Sequence, residues 1–206
     1  MLKLIALMLA TVFILFVSLN VVVNFINSMD EYSIKDTKLT RIVIAVIASI
    51  ALGIIYLKYS LSIEFLKYYF LMIYLIITGY IDFNSKYVYK FFSYIFLGIG
   101  LIFLFLSIMC SGERIQPYLI GIGGSFFLSG GLSIFNLLGT GDVEVFTISA
   151  IYIGGILSTM NVFLALSLGG FGAIFKLLTG RAKLKDKVTL CPYIALSTYL
   201  IIFFVL

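Results

Sequence analysis

The stretch Leu4–Phe25, "LIALMLATVFILFVSLNVVVNF", contains no charged side chain. A helix needs about 20 mainly apolar residues to cross the hydrocarbon core of a bilayer, and this stretch reaches that length. It exceeds the apolar core of a signal peptide, which has about 7–15 residues, and no small-residue cleavage site follows it cleanly. The stretch therefore predicts a retained transmembrane helix.

The rest of the chain repeats this pattern. Of its 206 residues, 63% are hydrophobic and 11% are charged, whereas soluble domains carry about 25% charged residues. Apolar runs of membrane-spanning length recur throughout, which predicts an all-α, polytopic membrane helix bundle with about eight transmembrane segments, or at least six. The predicted segments are Leu4–Phe25, Leu39–Leu57, Ile63–Ile81, Phe91–Cys110, Tyr118–Leu138, Val143–Thr159, Val162–Leu178 and Leu190–Leu206.

Segments six and seven form one apolar run, and the turn between them is marked only by weak signals. These signals are Gly154-Gly155 and the polar sequence "STMN", Ser158–Asn161. The predicted segment ends place the turn within "STMN".

The distribution of basic residues predicts how the bundle is oriented. Lysine and arginine collect on the cytoplasmic side of membrane proteins. We therefore expect loops 1–2, 3–4, 5–6 and 7–8 to face the cytoplasm and both termini to face outside. The same rule accounts for the net charge of +5, so we expect the lipid bilayer, and no nucleic acid, as a partner. The basic residues concerned are Lys35, Lys38, Arg41, Lys86, Lys90, Lys176, Arg181, Lys183, Lys185 and Lys187.

The chain has no histidine and only two cysteines, which excludes several kinds of chemistry. Serine-histidine and cysteine-histidine catalysis, H-E-x-x-H zinc sites and histidine-ligated haem all need a histidine. Cys110 and Cys191 are too few for a zinc-thiolate site and are predicted at opposite membrane faces. We interpret them as small buried apolar residues and expect no metal and no cofactor.

Carboxylates are then the main candidates for proton transfer. Asp82 ends segment three in "ITGYIDFNSKYV", and Asp142 precedes segment six in "GTGDVEVF". The two crossings made by segments four and five return the chain to the same face, so both aspartates are predicted at cytoplasmic helix ends. Most of the other acids lie in the polar linker Asn27–Lys38, in loop 7–8 or near the outer face; the exception is Glu144.

Two interpretations fit this pair. Asp142 can cap the start of a helix, with Gly139 and Gly141 shaping the turn, while Asp82 marks the membrane–water boundary. Alternatively, the two carboxyl groups form an aspartyl dyad that shares one proton and activates a water molecule.

The sequences "GYIDFNSKYV", "GTGDVEVF" and "LCPYIALSTYLIIF" resemble, in this order, the GxGD aspartyl proteases of the type IV prepilin and archaeal preflagellin peptidase family. The resemblance covers about Tyr74 to Leu206. It implies that Asp82 and Asp142 are catalytic and that Gly139, Thr140 and Gly141 support the motif. It also implies cleavage of leader peptides from prepilin-like (type IV pilin or archaellin) precursors at the cytoplasmic membrane face.

Two departures from the family pattern qualify this expectation. Glu144 stands where family members often carry lysine, and we expect it to point largely away from Asp142. The paired-cysteine zinc loop of the members that also methylate their product is absent. We therefore expect an aspartic endopeptidase without methyltransferase activity, with N-terminal membrane helices at 1–60 and a peptidase core at 61–206.

Other functions remain open from sequence alone. One is a presenilin-like intramembrane protease, although "CPYIAL" is only loosely similar to that group's proline-alanine-leucine motif. Another is a small proton- or cation-coupled transporter that uses Asp82 and Asp142, although no inverted repeat is evident. A purely structural membrane subunit is the third.

Overall fold

A computed structural model describes residues 2–28, 34, 36–180 and 188–206. Within these ranges the chain forms eight α-helices and no strand, as the sequence predicted. Six of them, all except α6 and α8, are long and apolar enough to cross a membrane. The helices are α1 (Leu2–Ser28), α2 (Lys38–Tyr59), α3 (Ile63–Ser85), α4 (Lys90–Ser111), α5 (Ile115–Ile134), α6 (Thr140–Ile153), α7 (Gly155–Leu178) and α8 (Cys191–Phe204).

Helix α3 lies at the centre of the bundle. It contacts α1, α2, α4, α6 and α8, and most of its length is buried. In helices α1, α4, α5 and α7, by contrast, most residues are at least partly exposed. Exposed apolar surface of this extent is expected where lipid, rather than water, surrounds the protein. The residues around α3 therefore form the protein's core.

Both ends of the described chain lie at the same end of the bundle. Leu4 and Met8 of α1 pack against Gly53, near the end of α2. Lys58 of α2 donates hydrogen bonds to the carbonyls of Ile202 and Phe203, close to the end of α8. An even number of crossings requires such an arrangement.

The break between α6 and α7 falls earlier than predicted. Gly154 and Gly155 both have positive φ (69° and 60°), a conformation that glycine adopts without steric penalty. The predicted turn at Ser158–Asn161 is wrong, because these residues lie inside α7. The polar side chain of Asn161 serves a different purpose. Its amide donates a hydrogen bond to Thr198 at 2.8 Å and accepts one from Ser197 at 2.5 Å, which joins α7 to α8.

A cluster of hydrogen-bonded polar side chains attaches the first two helices to α3. Arg41 of α2 forms an ion pair with Asp36 and donates to Asn20 of α1 at 2.6 Å. Tyr80 of α3 donates its hydroxyl hydrogen to the same Asp36 carboxylate. Hydrogen bonds from Arg41 and, to a smaller extent, Tyr80 hold the pKa of Asp36 below its usual value, although burial opposes them.

Candidate active site

Asp82 lies in the last turns of α3, where an acid is costly to bury. Only 6% of its surface is exposed. The helix continues past the predicted end to Ser85, and Lys86 closes it with a left-handed conformation. Lys86 and Asp82 lie four residues apart, but their side chains form no ion pair. Instead, the Lys86 N–H donates to the backbone carbonyl of Asp82 at 2.8 Å.

Asp142 lies in the first turn of α6, outside the six long apolar helices. Its Oδ2 accepts a hydrogen bond of 3.2 Å from the N–H of Gly139, the residue that caps this helix. A carboxylate in the first turn also interacts favourably with the positive end of the helix dipole. Asp142 therefore supports the helix start from the third helical position, and the interpretation that it is itself the cap is wrong, because Gly139 occupies that position.

The glycines of the G-T-G-D motif differ in their purpose. A Cβ on Gly141 would lie 2.8 Å from Cβ of Val88, so a side chain there would clash with the α3–α4 connection. Gly139 has an ordinary φ of −73°, and a Cβ there would meet only the Asp142 carboxylate, at 3.2 Å. Close approach explains Gly141, and no glycine-specific backbone conformation is needed at Gly139.

The first residue of α8, Cys191, lies between the two aspartates. Its backbone N–H donates to Asp82 Oδ2 at 3.1 Å, and its thiol donates to Asp142 Oδ1 at 3.6 Å. One carboxylate oxygen from each aspartate and the Cys191 Sγ all lie within 4.8 Å of one another. Three helices that are distant in sequence thus bring two carboxyl groups and a thiol together.

A family model described as the type IV leader peptidase family matches residues 69–174, about half of the chain. The chain belongs to the type IV leader peptidase family. The match contains both aspartates but neither α1, α2 nor α8. Comparisons with curated proteins and with solved structures gave no match. The protein is accordingly a multi-pass membrane protein of a protease family.

In this member of the family, two cavities meet at the aspartates. The larger has a volume of about 720 Å³ and lies between the α5–α6 connection, α7 and the segment that precedes α8. The smaller has a volume of about 190 Å³ and is lined by residues between α3 and α4 and by the start of α6. Asp82, Lys86, Gly139, Thr140 and Asp142 line both. The aspartates can therefore be reached from two sides.

Burial raises the pKa of Asp142 to about 6, and the nearby Asp82 carboxylate adds to this effect. Hydrogen bonds from the Gly139 amide and then the Cys191 thiol oppose it, because they stabilise the ionised form. Asp142 therefore keeps its proton up to about pH 6, well above the usual range of an aspartate.

Glu144 does not turn away from the aspartates as completely as its spacing suggested. It lines the smaller cavity together with Asp142, Lys86 and Lys90. Among the residues that the structure describes, nothing forms a hydrogen bond with its buried Oε2 atom. The basic residues of loop 7–8 from Arg181 to Lys187 lie outside the described residues, as does most of the polar linker before Asp36.

Cys191 is the site residue that sequence reasoning missed. It is fully buried, as predicted, whereas the prediction that Cys110 is also buried is wrong, because Cys110 is exposed near the end of α4. Both cysteines are free and lie at opposite ends of the bundle. The contact of Cys191 with the aspartates was not foreseen, because a lone cysteine before a proline carries no motif. The only available signal was helix order, since segment eight begins at the membrane face where segment three ends.

Two carboxylates and a thiol this close together are also groups that can act as ligands to a divalent cation. Each of the three groups already takes part in a hydrogen bond within the site. We make no metal assignment, and the absence of a metal and of a cofactor remains a prediction.

Proposed function

We propose that this protein is an aspartic endopeptidase that removes leader peptides from prepilin-like precursors, type IV pilins or archaellins. The observation that carries the proposal is the approach of Asp82 and Asp142 at the meeting point of two cavities. Family membership supports it, because the matched region contains both residues.

The proposed reaction begins with one proton shared by the pair. Asp82 is the ionised partner, because the Cys191 N–H and the positive end of α8 stabilise its charge. Asp142 retains the proton, in keeping with its raised pKa. This division of roles follows the general pattern of aspartic proteases, in which two carboxyl groups at short distance cannot both ionise readily.

Asp82 then accepts a proton from a water molecule, whose oxygen attacks the scissile peptide carbonyl. Asp142 donates its proton to the carbonyl oxygen, which produces a neutral tetrahedral diol. Collapse of the diol breaks the C–N bond as the proton held by Asp82 passes to the leaving nitrogen. Asp142 recovers a proton from the diol hydroxyl, so the pair returns to its starting state. The products are a leader carboxylic acid and a new amino terminus on the precursor.

The larger cavity suits an extended peptide. Its walls combine polar groups, such as Ser133, Asn136 and Thr189, with apolar ones, such as Leu166 and Leu190. We propose that the leader enters here, while the precursor's hydrophobic helix stays in the bilayer beside the bundle. Aqueous access from the cavity also supplies the attacking water.

We propose that this end of the bundle faces the cytoplasm. Lys86 and Lys90 lie at the same end as the aspartates, and the predicted cytoplasmic loops hold most of the basic residues. We also propose cleavage without methylation, because the sequence contains no paired-cysteine loop. In this scheme residues 61–206 form the peptidase core, and the helices within 1–60 support it.

The test is incubation of the purified protein in lipid nanodiscs with candidate prepilins, followed by mass spectrometry of the products. Asp82→Asn and Asp142→Asn are each expected to lower cleavage at least about a thousandfold while the protein still accumulates in membranes. Glu64→Gln is the matched control, because Glu64 is an exposed acid at the other end of α3.

The cut position separates the proposal from its alternatives. A cut at the boundary between leader and hydrophobic helix supports a leader peptidase, whereas a cut inside the helix indicates an intramembrane protease. Retained cleavage in either asparagine variant would remove the dyad assignment. Ion flux through proteoliposomes that disappears in both variants would instead favour a transporter.

A further inference from the structure

Among the described residues, no hydrogen bond directly joins the side chains of the two proposed catalytic aspartates. They are connected through Cys191, whose amide reaches Asp82 and whose thiol reaches Asp142. Cys191 is the first residue of α8, and Pro192 follows it. Proline is well suited to the first turn of a helix, where its missing N–H leaves no hydrogen bond unmade.

Close packing of α3 against α8 sets the position of Cys191. A Cβ on Gly79 would lie 3.4 Å from the backbone of Pro192, which is ordinary contact distance, so the two helices leave little free space there. The Cys191 side chain itself is fully buried. Its thiol therefore has little freedom to turn away from the Asp142 carboxylate.

The following inference rests on the proposed function. We propose that Cys191 is a positioning residue: its amide and thiol together hold the Asp82 and Asp142 carboxylates at the separation that the proposed reaction needs. A backbone amide is present with almost any residue at position 191, so the part specific to cysteine is the thiol hydrogen bond to Asp142. The thiol does not react in this role. It orients Asp142 while the proton moves.

The thiol hydrogen bond also has an electrostatic consequence. The charged or titratable groups that line the site around Asp142 are Asp82, Lys86, Tyr87, Lys90, Glu144 and the Cys191 thiol, whereas α5 and α7 contribute no such group to the described cavity walls. A thiol that donates to a carboxylate favours its ionised form. Removing the donor therefore moves the loss of the Asp142 proton to higher pH.

The kinetic test compares Cys191→Ala, Cys191→Ser and the matched control Cys110→Ala, in which the exposed cysteine is replaced. Loss of one weak hydrogen bond predicts that C191A lowers kcat about three- to tenfold with little change in KM. We expect its alkaline pH limb to lie above that of C110A. Serine keeps a donor, so C191S restores most of kcat. Wild-type kcat and an unmoved pH limb in C191A would overturn the proposal.

A second measurement does not depend on protease activity. In C110A protein, the S–H stretching band in the infrared spectrum comes from Cys191 alone. We expect this band at the lower frequency of a hydrogen-bonded thiol, and we expect Asp142→Ala, which removes the acceptor, to raise it. A band that stays in place would show that the thiol does not bond to Asp142. If D82N and D142N still cleave while the band moves, the proposed function fails but the contact stands.

Discussion

Gly141 approaches Val88 so closely that a Cβ on residue 141 would lie 2.8 Å from the valine Cβ. This contact sets the start of α6 against the α3–α4 connection, and so sets Asp142 relative to Asp82. The valine Cβ is attached directly to the backbone and cannot give way by rotation. One of the two motif glycines is thus required by the packing of the site.

Gly141→Ala is accordingly expected to lower kcat/KM by more than tenfold, because the start of α6 must shift away from α3. Gly139→Ala meets only a carboxylate oxygen and is expected to have a smaller effect. Gly130→Ala in α5, which points into open space, is the control. Cleavage by G141A at the rate of G130A would show that the close contact is not required.

The pH dependence of cleavage follows from the raised pKa of Asp142, about 6. Below this pH Asp142 holds the proton that the reaction needs, and above it the proton is lost. Activity is therefore expected to fall as pH rises, with a midpoint near 6. A profile of kcat/KM between pH 4 and 9 measures this, because kcat/KM reports the pKa values of the enzyme without substrate. A flat alkaline limb would contradict the prediction.

The same pKa predicts a change in stability. The pKa of Asp142 is about 6 in the folded protein and about 3.9 in the unfolded chain. The folded state therefore loses stability as the pH rises from about 3.9 to about 6. Asp142→Asn removes this loss. We expect the melting temperature of D142N to exceed that of the wild type more at pH 8 than at pH 4, as measured by thermal unfolding in one detergent. Equal differences at the two pH values would argue against a buried, titrating carboxyl group.

Arg41→Ala is expected to destabilise the attachment of α1 and α2 by about 3–5 kcal/mol, because it leaves the Asp36 carboxylate without its cation. Asp36 has a lowered pKa, so the pair stabilises the fold above about pH 4 and stops doing so as pH falls through the folded pKa. Unfolding of R41A and wild type at pH 7 and pH 3 measures both effects.

Lys38→Ala is the control for this change, because Lys38 is an exposed cation at the start of the same helix. We expect K38A to alter the free energy of unfolding by no more than about 0.5 kcal/mol. A similar loss in K38A and R41A would assign the effect to net charge and not to the buried pair.

Asn161→Leu is expected to cost about 1–3 kcal/mol, since it leaves the buried hydroxyls of Ser197 and Thr198 without their Asn161 partner. Because α8 also carries Cys191, we expect cleavage to fall as well. Ser167→Leu on the exposed part of α7 is the comparison. Chemical denaturation in detergent distinguishes the two variants, and equal midpoints would contradict the prediction.

All eight predicted segments correspond to helices. Bilayer thickness imposes a minimum apolar length, which made the six long helices predictable, whereas α6 and α8, with 14 residues each, were predictable only from their apolar composition. Helix order was equally informative, since it placed Asp82 and Asp142 at the same end. The break at Gly154-Gly155 was misplaced because "STMN" looks like a turn by polarity, whereas Asn161 uses its polarity between helices. The role of Cys191 could not be read from sequence, because it depends on how closely α8 packs against α3.

The hydrogen bond from Tyr80 to Asp36 reaches across the limit of the family match, which begins at residue 69. Tyr80 lies two residues before Asp82 on α3. Helices outside the region matched by the family model therefore help to hold α3, and with it the proposed catalytic Asp82, in place. A shorter relative without α1 and α2 would need another way to cover that side of α3. In this chain, truncation to residues 69–174 would remove the contacts that α1, α2 and Asp36 make with α3.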